Sequence, residues 1–138
     1  MSLPEKQQKL IAKYRVIEDP QERLAAITGR GRKWSAPTEA ERTDASRVQG
    51  CVSQVWLVGQ LEEGRCRFRV AADSPLVLGL AALLCELYDG EAPDEVATVE
   101  PELLEALDIA PQLSPTRLNG LANVRRVIRD FAKHAIES

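Results

Sequence analysis

The sequence has no basic surplus, no long apolar run, no paired-cysteine motif and almost no histidine. Its 18 basic and 21 acidic residues leave a formal net charge of -3. Binding to a phosphate backbone needs a basic excess or stripe, so no nucleic-acid partner is expected. The longest apolar stretch, PLVLGLAALLC at 75–85, is well short of the ~20 residues that span a bilayer, and no membrane association is expected. The N-terminal MSLPEKQQKL is polar and lacks the apolar centre of an export signal, which makes the cytoplasm the expected location. Cys51, Cys66 and Cys85 are odd in number and widely spaced, and the single histidine, His134, lies near the C-terminus. This pattern argues against a disulfide framework and a Cys/His zinc site. It suits free thiols in a reducing compartment. No internal repeat or low-complexity tract is present, and no feature demands a cofactor or metal.

What is present suits one soluble domain over residues 1–138, with a hydrophobic fraction of 44% and a charged fraction of 28%. Leu3, Leu10, Tyr14 and Ile17 share a helical stripe, with Pro4 at the first helical position. Asp19 is the candidate N-cap of a second helix that begins at Pro20 and stops at Gly29. Residues 29–46 read as a long connection with a helical turn near 38–43. Residues 52–61 and 65–71 read as a hairpin turned by EEG at 62–64, with Trp56 in the core. In RCRFRV, Cys66, Phe68 and Val70 alternate with arginines, as in a half-buried strand. Ser74 and Pro75 open an apolar helix stopped by Gly90. Two short helices meet at Glu100–Pro101. Ser114 and Pro115 open a last helix with a stripe of Leu118, Leu121, Ile128, Phe131 and Ala135, leaving Arg125, Arg126, Arg129 and Lys133 elsewhere. Helices, then strands, then helices predict an α+β domain with a small antiparallel sheet packed on helices.

The stretch RVQGCVSQVW at 47–56 carries the chemistry. Cys66 fits the inward face of its strand and Cys85 the interior of the apolar helix, where free cysteine behaves as a small hydrophobe. Cys51 instead follows Gly50 at a bend before a strand. From the residues alone it is either a reactive thiol presented by a loop or an inert one. With the one histidine far along the chain, Cys–His hydrolysis is disfavoured. Thiol exchange needs only an accessible sulfur and a partner sulfur.

Four blocks, in order, resemble the SufE family: ERTDASRVQGC, RVQGCVSQVW, DSPLVLGLAALLCELYDGEAPDEV, and LSPTRLNGL, which is similar to a Leu-Ser-Pro-x-Arg-x-Asn-Gly-Leu signature. The resemblance implies an α+β fold shared with U-type iron–sulfur scaffolds. It also implies that Cys51 accepts persulfide sulfur from a pyridoxal-phosphate-dependent cysteine desulfurase, stimulates that enzyme, and passes sulfur to a downstream iron–sulfur scaffold. The pyridoxal phosphate belongs to the partner, and this chain is an accessory sulfur-transfer protein rather than a stand-alone enzyme. Rival readings are a cluster scaffold and a non-catalytic desulfurase-binding module. Asp73 matches the family's helix-leading acid and reads either as a favourable charge at a helix start or as a direct participant. Arg117 matches the signature arginine and reads either as a guanidinium near the thiol loop or as a first-turn residue tied to a local carboxylate. Asn119 and Gly120 are expected to serve packing of the turns. Gln49, Ser53 and Gln54 flank the thiol and are expected to orient its loop, while Gly50 lets it move. Arg30, Arg32 and Lys33 read as a solvated basic loop or as a contact for an acidic partner. The free protein is expected to shelter Cys51 against apolar neighbours.

Overall fold

Residues 75–88, PLVLGLAALLCELY, are apolar at almost every position, and they form a helix buried in the core. The computed structural model describes residues 1–137. Its elements are α1 (Leu3–Arg15), α2 (Pro20–Gly31), β1 (Val55–Glu62), β2 (Arg65–Ala72), α3 (Pro75–Tyr88), α4 (Pro93–Thr98), α5 (Leu103–Ala106) and α6 (Pro115–Glu137). Two short 3-10 turns lie at Glu39–Glu41 and Ala110–Gln112. The expected α+β architecture is therefore present, with a two-stranded antiparallel sheet.

α3 begins where Ser74 Oγ accepts the Val77 N–H, with Pro75 behind it, and it ends before Gly90 at φ +80°. Leu80, Leu84, Cys85, Leu87 and Tyr88 on it are fully buried. Each large aliphatic side chain so removed from water contributes roughly 1.5–3 kcal/mol. α2 crosses α3 at a pair of glycines. A Cβ built on Gly31 would lie 2.5 Å from Gly79 Cα, and one on Gly79 would lie 2.6 Å from Thr28 Cα. That contact corrects the expected stop at Gly29: the helix runs on to Gly31 because its last turn is packed onto α3. α1 also starts one residue earlier than read, at Leu3, because the Ser2 hydroxyl caps it.

The hairpin turns on Glu63 and Gly64, with φ of 53° and 78°. Two consecutive left-handed residues make the tight turn whose twist matches the flanking strands. The register places Glu62 opposite Arg65 and Val55 opposite Ala72. Cys66, Phe68 and Val70 are fully buried, as the alternation predicts. The outer edge of β2 is covered rather than open: Val70 donates to Ser35 O, Cys66 to Glu91 O, and Trp34 Nε1 to Phe68 O. The expected strand start at residue 52 is too early, since pairing begins only at Val55. Trp56 is half-buried rather than core, with the Arg42 guanidinium 5.9 Å from its ring centre.

α6 lies across the hairpin and α4. Phe131 meets Phe68 edge to face at 5.5 Å. The buried stripe of α6 is Gly120, Leu121, Val124, Arg125, Ile128 and Ala132. Arg125, expected outside the apolar face, is buried. It donates to the carbonyls of Val96 and Val99, at 2.8 and 3.0 Å, and lies 4.4 Å over the Tyr88 ring. These are carbonyls at the end of α4 that the short helix itself leaves unpaired. Buried Gln7 works similarly where the chain breaks at Glu100–Pro101, accepting the Glu102 N–H and donating to Glu100 O. Among the described residues, no helix is long and apolar enough to cross a membrane.

The glycine crossing gives a paired test. Gly79→Ala forces its methyl into the α2 backbone and should destabilise by at least about 1–3 kcal/mol. Gly29→Ala, with nothing within 4 Å of the new Cβ, should instead stabilise the helix by up to about 1 kcal/mol. Urea denaturation of the two variants measures both; equal effects would contradict this packing.

Candidate functional site

Residues 49–54 form a loop closed at its base by the Val48 N–H, which donates to Val55 O at 2.7 Å. Beside it, Leu57 N–H donates to Ser46 O, and Arg47 pairs with Trp56 as an isolated bridge on the free edge of β1. The loop therefore springs from the sheet with both ends held. Its exit is tied to the start of α3. Gln54 N–H donates to the Asp73 carboxylate at 3.1 Å, and Asp73 N–H donates back to Gln54 O at 3.1 Å. Asp73 thus acts on the backbone of the thiol loop, a role distinct from touching the sulfur.

The tip of the loop is laid on α6. Gly50 has φ +82°, a left-handed conformation that side chains resist. Its carbonyl accepts from Asn123 Nδ2 at 3.0 Å. Cys51 follows, and its S–H donates to Gly120 O at 3.2 Å. A glycine on the helix eases this approach, because a Cβ there would stand 3.3 Å from the sulfur, a tight contact that would push the thiol back by a few tenths of an ångström. Cys51 is half-buried and packs against the main core, whereas Cys66 and Cys85 are wholly buried in it. A cleft of about 120 Å³ opens beside the thiol. Val77 and Leu121 give it an apolar wall, and Ser53, Ser114, Thr116 and Arg117 give it a polar one.

Burial raises the Cys51 thiol above its ordinary pKa, and the charge of Arg126 offsets this only in part. The thiol is a resting, protonated group. Burial next to Asp89 pushes Cys66 up to about 11. The same causes raise the Cys85 thiol. Neither is placed to react.

Of the residues singled out from the sequence, Gly50, Cys51, Ser53, Gln54, Asp73 and Arg117 come together around the loop and its cleft. Gln49 is exposed, and Asn119 lies outside the cleft lining. Arg117 lines the cleft, and among the described residues no carboxylate pairs with it; Ser114 Oγ accepts its backbone N–H. Sequence reasoning missed Asn123 and Arg126. The Arg126 guanidinium donates to Asn123 Oδ1 at 3.3 and 3.4 Å. The signal that could have found them is their spacing: Gly120, Asn123 and Arg126 recur every three residues on one face of a helix. Of the basic residues expected in a loop, Arg30 instead lies in the last turn of α2, which runs on to Gly31, and pairs with Glu86 at 2.8 Å, while Arg32 and Lys33 are exposed. Among the described residues no three His, Cys, Asp or Glu side chains converge as a metal site would require.

Comparison with known proteins gives a family match and a fold match. The family described as SufE, Fe-S metabolism associated domain, matches residues 8–132. An uncharacterised SufE-like protein of Synechocystis is 32% identical over 95% of this chain and 82% of its own length. SufE-like protein 1 of Arabidopsis thaliana, described as chloroplastic/mitochondrial, is 30% identical over 96% of this chain, which spans 36% of that longer protein. The solution structure of a hypothetical protein from Thermus thermophilus shares the fold, with a TM-score of 0.81 over the whole of both chains at 22% identity.

The raised thiol makes a pH prediction. Alkylation of native Cys51 by iodoacetamide should reach half its limiting rate only above the ordinary thiol value of 9.0, and the midpoint should fall on unfolding in denaturant. A native midpoint below the unfolded one would contradict the burial argument. All three thiols are raised in the folded state, so their contribution to stability is full below the unfolded value and declines as pH rises above it.

Proposed function

The chain belongs to the SufE family, and from that premise we propose that Cys51 accepts sulfane sulfur from a cysteine desulfurase and relays it toward iron–sulfur cluster assembly. The observation that carries this reading is the contrast among the thiols. Cys51 alone reaches the surface, at the tip of a loop held at both ends, beside a cleft with room for another atom.

The step needs no group beyond the Cys51 thiol and the donor persulfide. The Cys51 thiolate attacks the outer sulfur of the donor's persulfide, R–S–SH. A new S–S bond forms, the donor's S–S bond breaks, and R–S⁻ leaves, with the proton of Cys51 passing to that thiolate. Sulfur is transferred without net oxidation. Clearing the donor cysteine speeds the desulfurase, whose pyridoxal phosphate performs the carbon–sulfur cleavage on the partner.

The resting geometry opposes premature reaction. The thiol proton is engaged by Gly120 O, and burial disfavours the thiolate that would attack. Docking of the desulfurase is proposed to lift the loop, which relieves both. Val52, next in the chain and 84% exposed, is a large apolar side chain placed for contact with that partner. The product persulfide is more acidic than the thiol, and Arg117 at the cleft, together with the nearby start of α6, suits an anion. Three unpaired thiols fit a reducing compartment, which we take to be the cytoplasm.

Cys51→Ser should fold normally and lose stimulation of the desulfurase; undiminished stimulation would sink the assignment. Cys85→Ser should retain stimulation and unfold more easily, by about 1–3 kcal/mol, because it places a hydroxyl in an apolar interior.

A further inference from the structure

We infer that Asn123, oriented by Arg126, is the positioning residue that latches the Cys51 loop to α6. The inference deepens the reading of Cys51 as sulfur acceptor and rests on it for its purpose, though its geometry stands alone.

The loop's base and exit are fastened by backbone hydrogen bonds and by Asp73, contacts that can persist when the tip moves. Among the described residues, two hydrogen bonds join the tip of the loop to α6. One is the Cys51 S–H to Gly120 O, from a weak sulfur donor. The other runs from the Asn123 amide to Gly50 O at 3.0 Å, immediately before the cysteine. An amide can turn either its nitrogen or its oxygen toward the loop. Arg126 removes that ambiguity, because two of its nitrogens donate to Asn123 Oδ1. The NH2 group is thereby left facing the Gly50 carbonyl.

The two contacts differ in what sulfur loading does to them. When Cys51 carries a second sulfur, its Sγ has no proton to donate, and the bond to Gly120 O is lost. The bond from Asn123 is indifferent to the state of the sulfur. It is the contact that still holds the loop when the persulfide is present. Gly50 is suited to this twice over: by its left-handed φ, and because a Cβ would stand 2.3 Å from Asn123 Nδ2.

Amide hydrogen exchange of residues 49–54 in the isolated protein tests the latch. Asn123→Ala removes the side chain, and Asn123→Asp keeps its size and its pairing with Arg126 but cannot donate. Both should speed exchange in the loop by about fivefold or more, which is one hydrogen bond of ~1 kcal/mol at ~1.4 kcal/mol per tenfold. Exchange in β1, β2 and the rest of α6 should stay as in the unaltered protein. Loop exchange unchanged in both variants would overturn the latch. So would acceleration in the alanine variant alone, which would mark packing rather than donation. Neither arm contains a desulfurase or a sulfur donor, so a failed latch leaves the acceptor reading standing, and a failed acceptor leaves the exchange result standing.

Discussion

The site depends on one close approach, that of the Cys51 sulfur to the backbone of α6 at Gly120. No side chain intervenes there, so the thiol can rest on the helix, share its proton with a main-chain carbonyl and be partly withdrawn from water. Everything else about the loop follows from holding that approach. The Val48–Val55 bond fixes where the loop leaves the sheet. Asp73 fixes where it returns to α3. α6 in turn is held by its own buried face, where Arg125 and Phe131 join it to α4 and the hairpin. The loop is thus mounted at both ends on the sheet and on the start of α3.

Two opposing effects meet at the sulfur. A guanidinium nearby favours thiolate, and burial disfavours it. Here burial wins, since Arg126 is exposed and screened by solvent while the thiol is packed against the core. For the acceptor role proposed above, this order of effects would keep the thiol quiet when alone and let it become nucleophilic when a partner draws it out, without any need for a base on the chain itself.

Much of the fold was legible in the sequence because it is written in short-range terms. The Ser74–Pro75 start of α3, the Asp19 cap of α2, the alternation in RCRFRV and the break at Glu100–Pro101 each involve residues a few positions apart. The errors came where distant parts meet. Gly29 looks like a stop because the helix that Gly31 packs against, at Gly79, lies far along the chain. Arg125 looks like a surface residue because its carbonyl partners belong to α4. The site divides in the same way. Cys51 and Gly50 could be picked out at their bend, and the family resemblance directed attention to them. Asn123 and Arg126 could not, since the link from Asn123 to Gly50 spans 73 residues of chain. Only the three-residue spacing with Gly120 hinted at a shared face.

If the thiol at the loop tip is the acceptor, sulfur comes to rest on Cys51 and on no other thiol of the chain. Intact-protein mass spectrometry with peptide mapping, after incubation with a cysteine desulfurase and free cysteine, measures this directly. The expected outcome is an adduct of ~32 Da on the peptide containing Cys51, with Cys66 and Cys85 unmodified. An unmodified Cys51, or an adduct carried instead by Cys66 or Cys85, would contradict it.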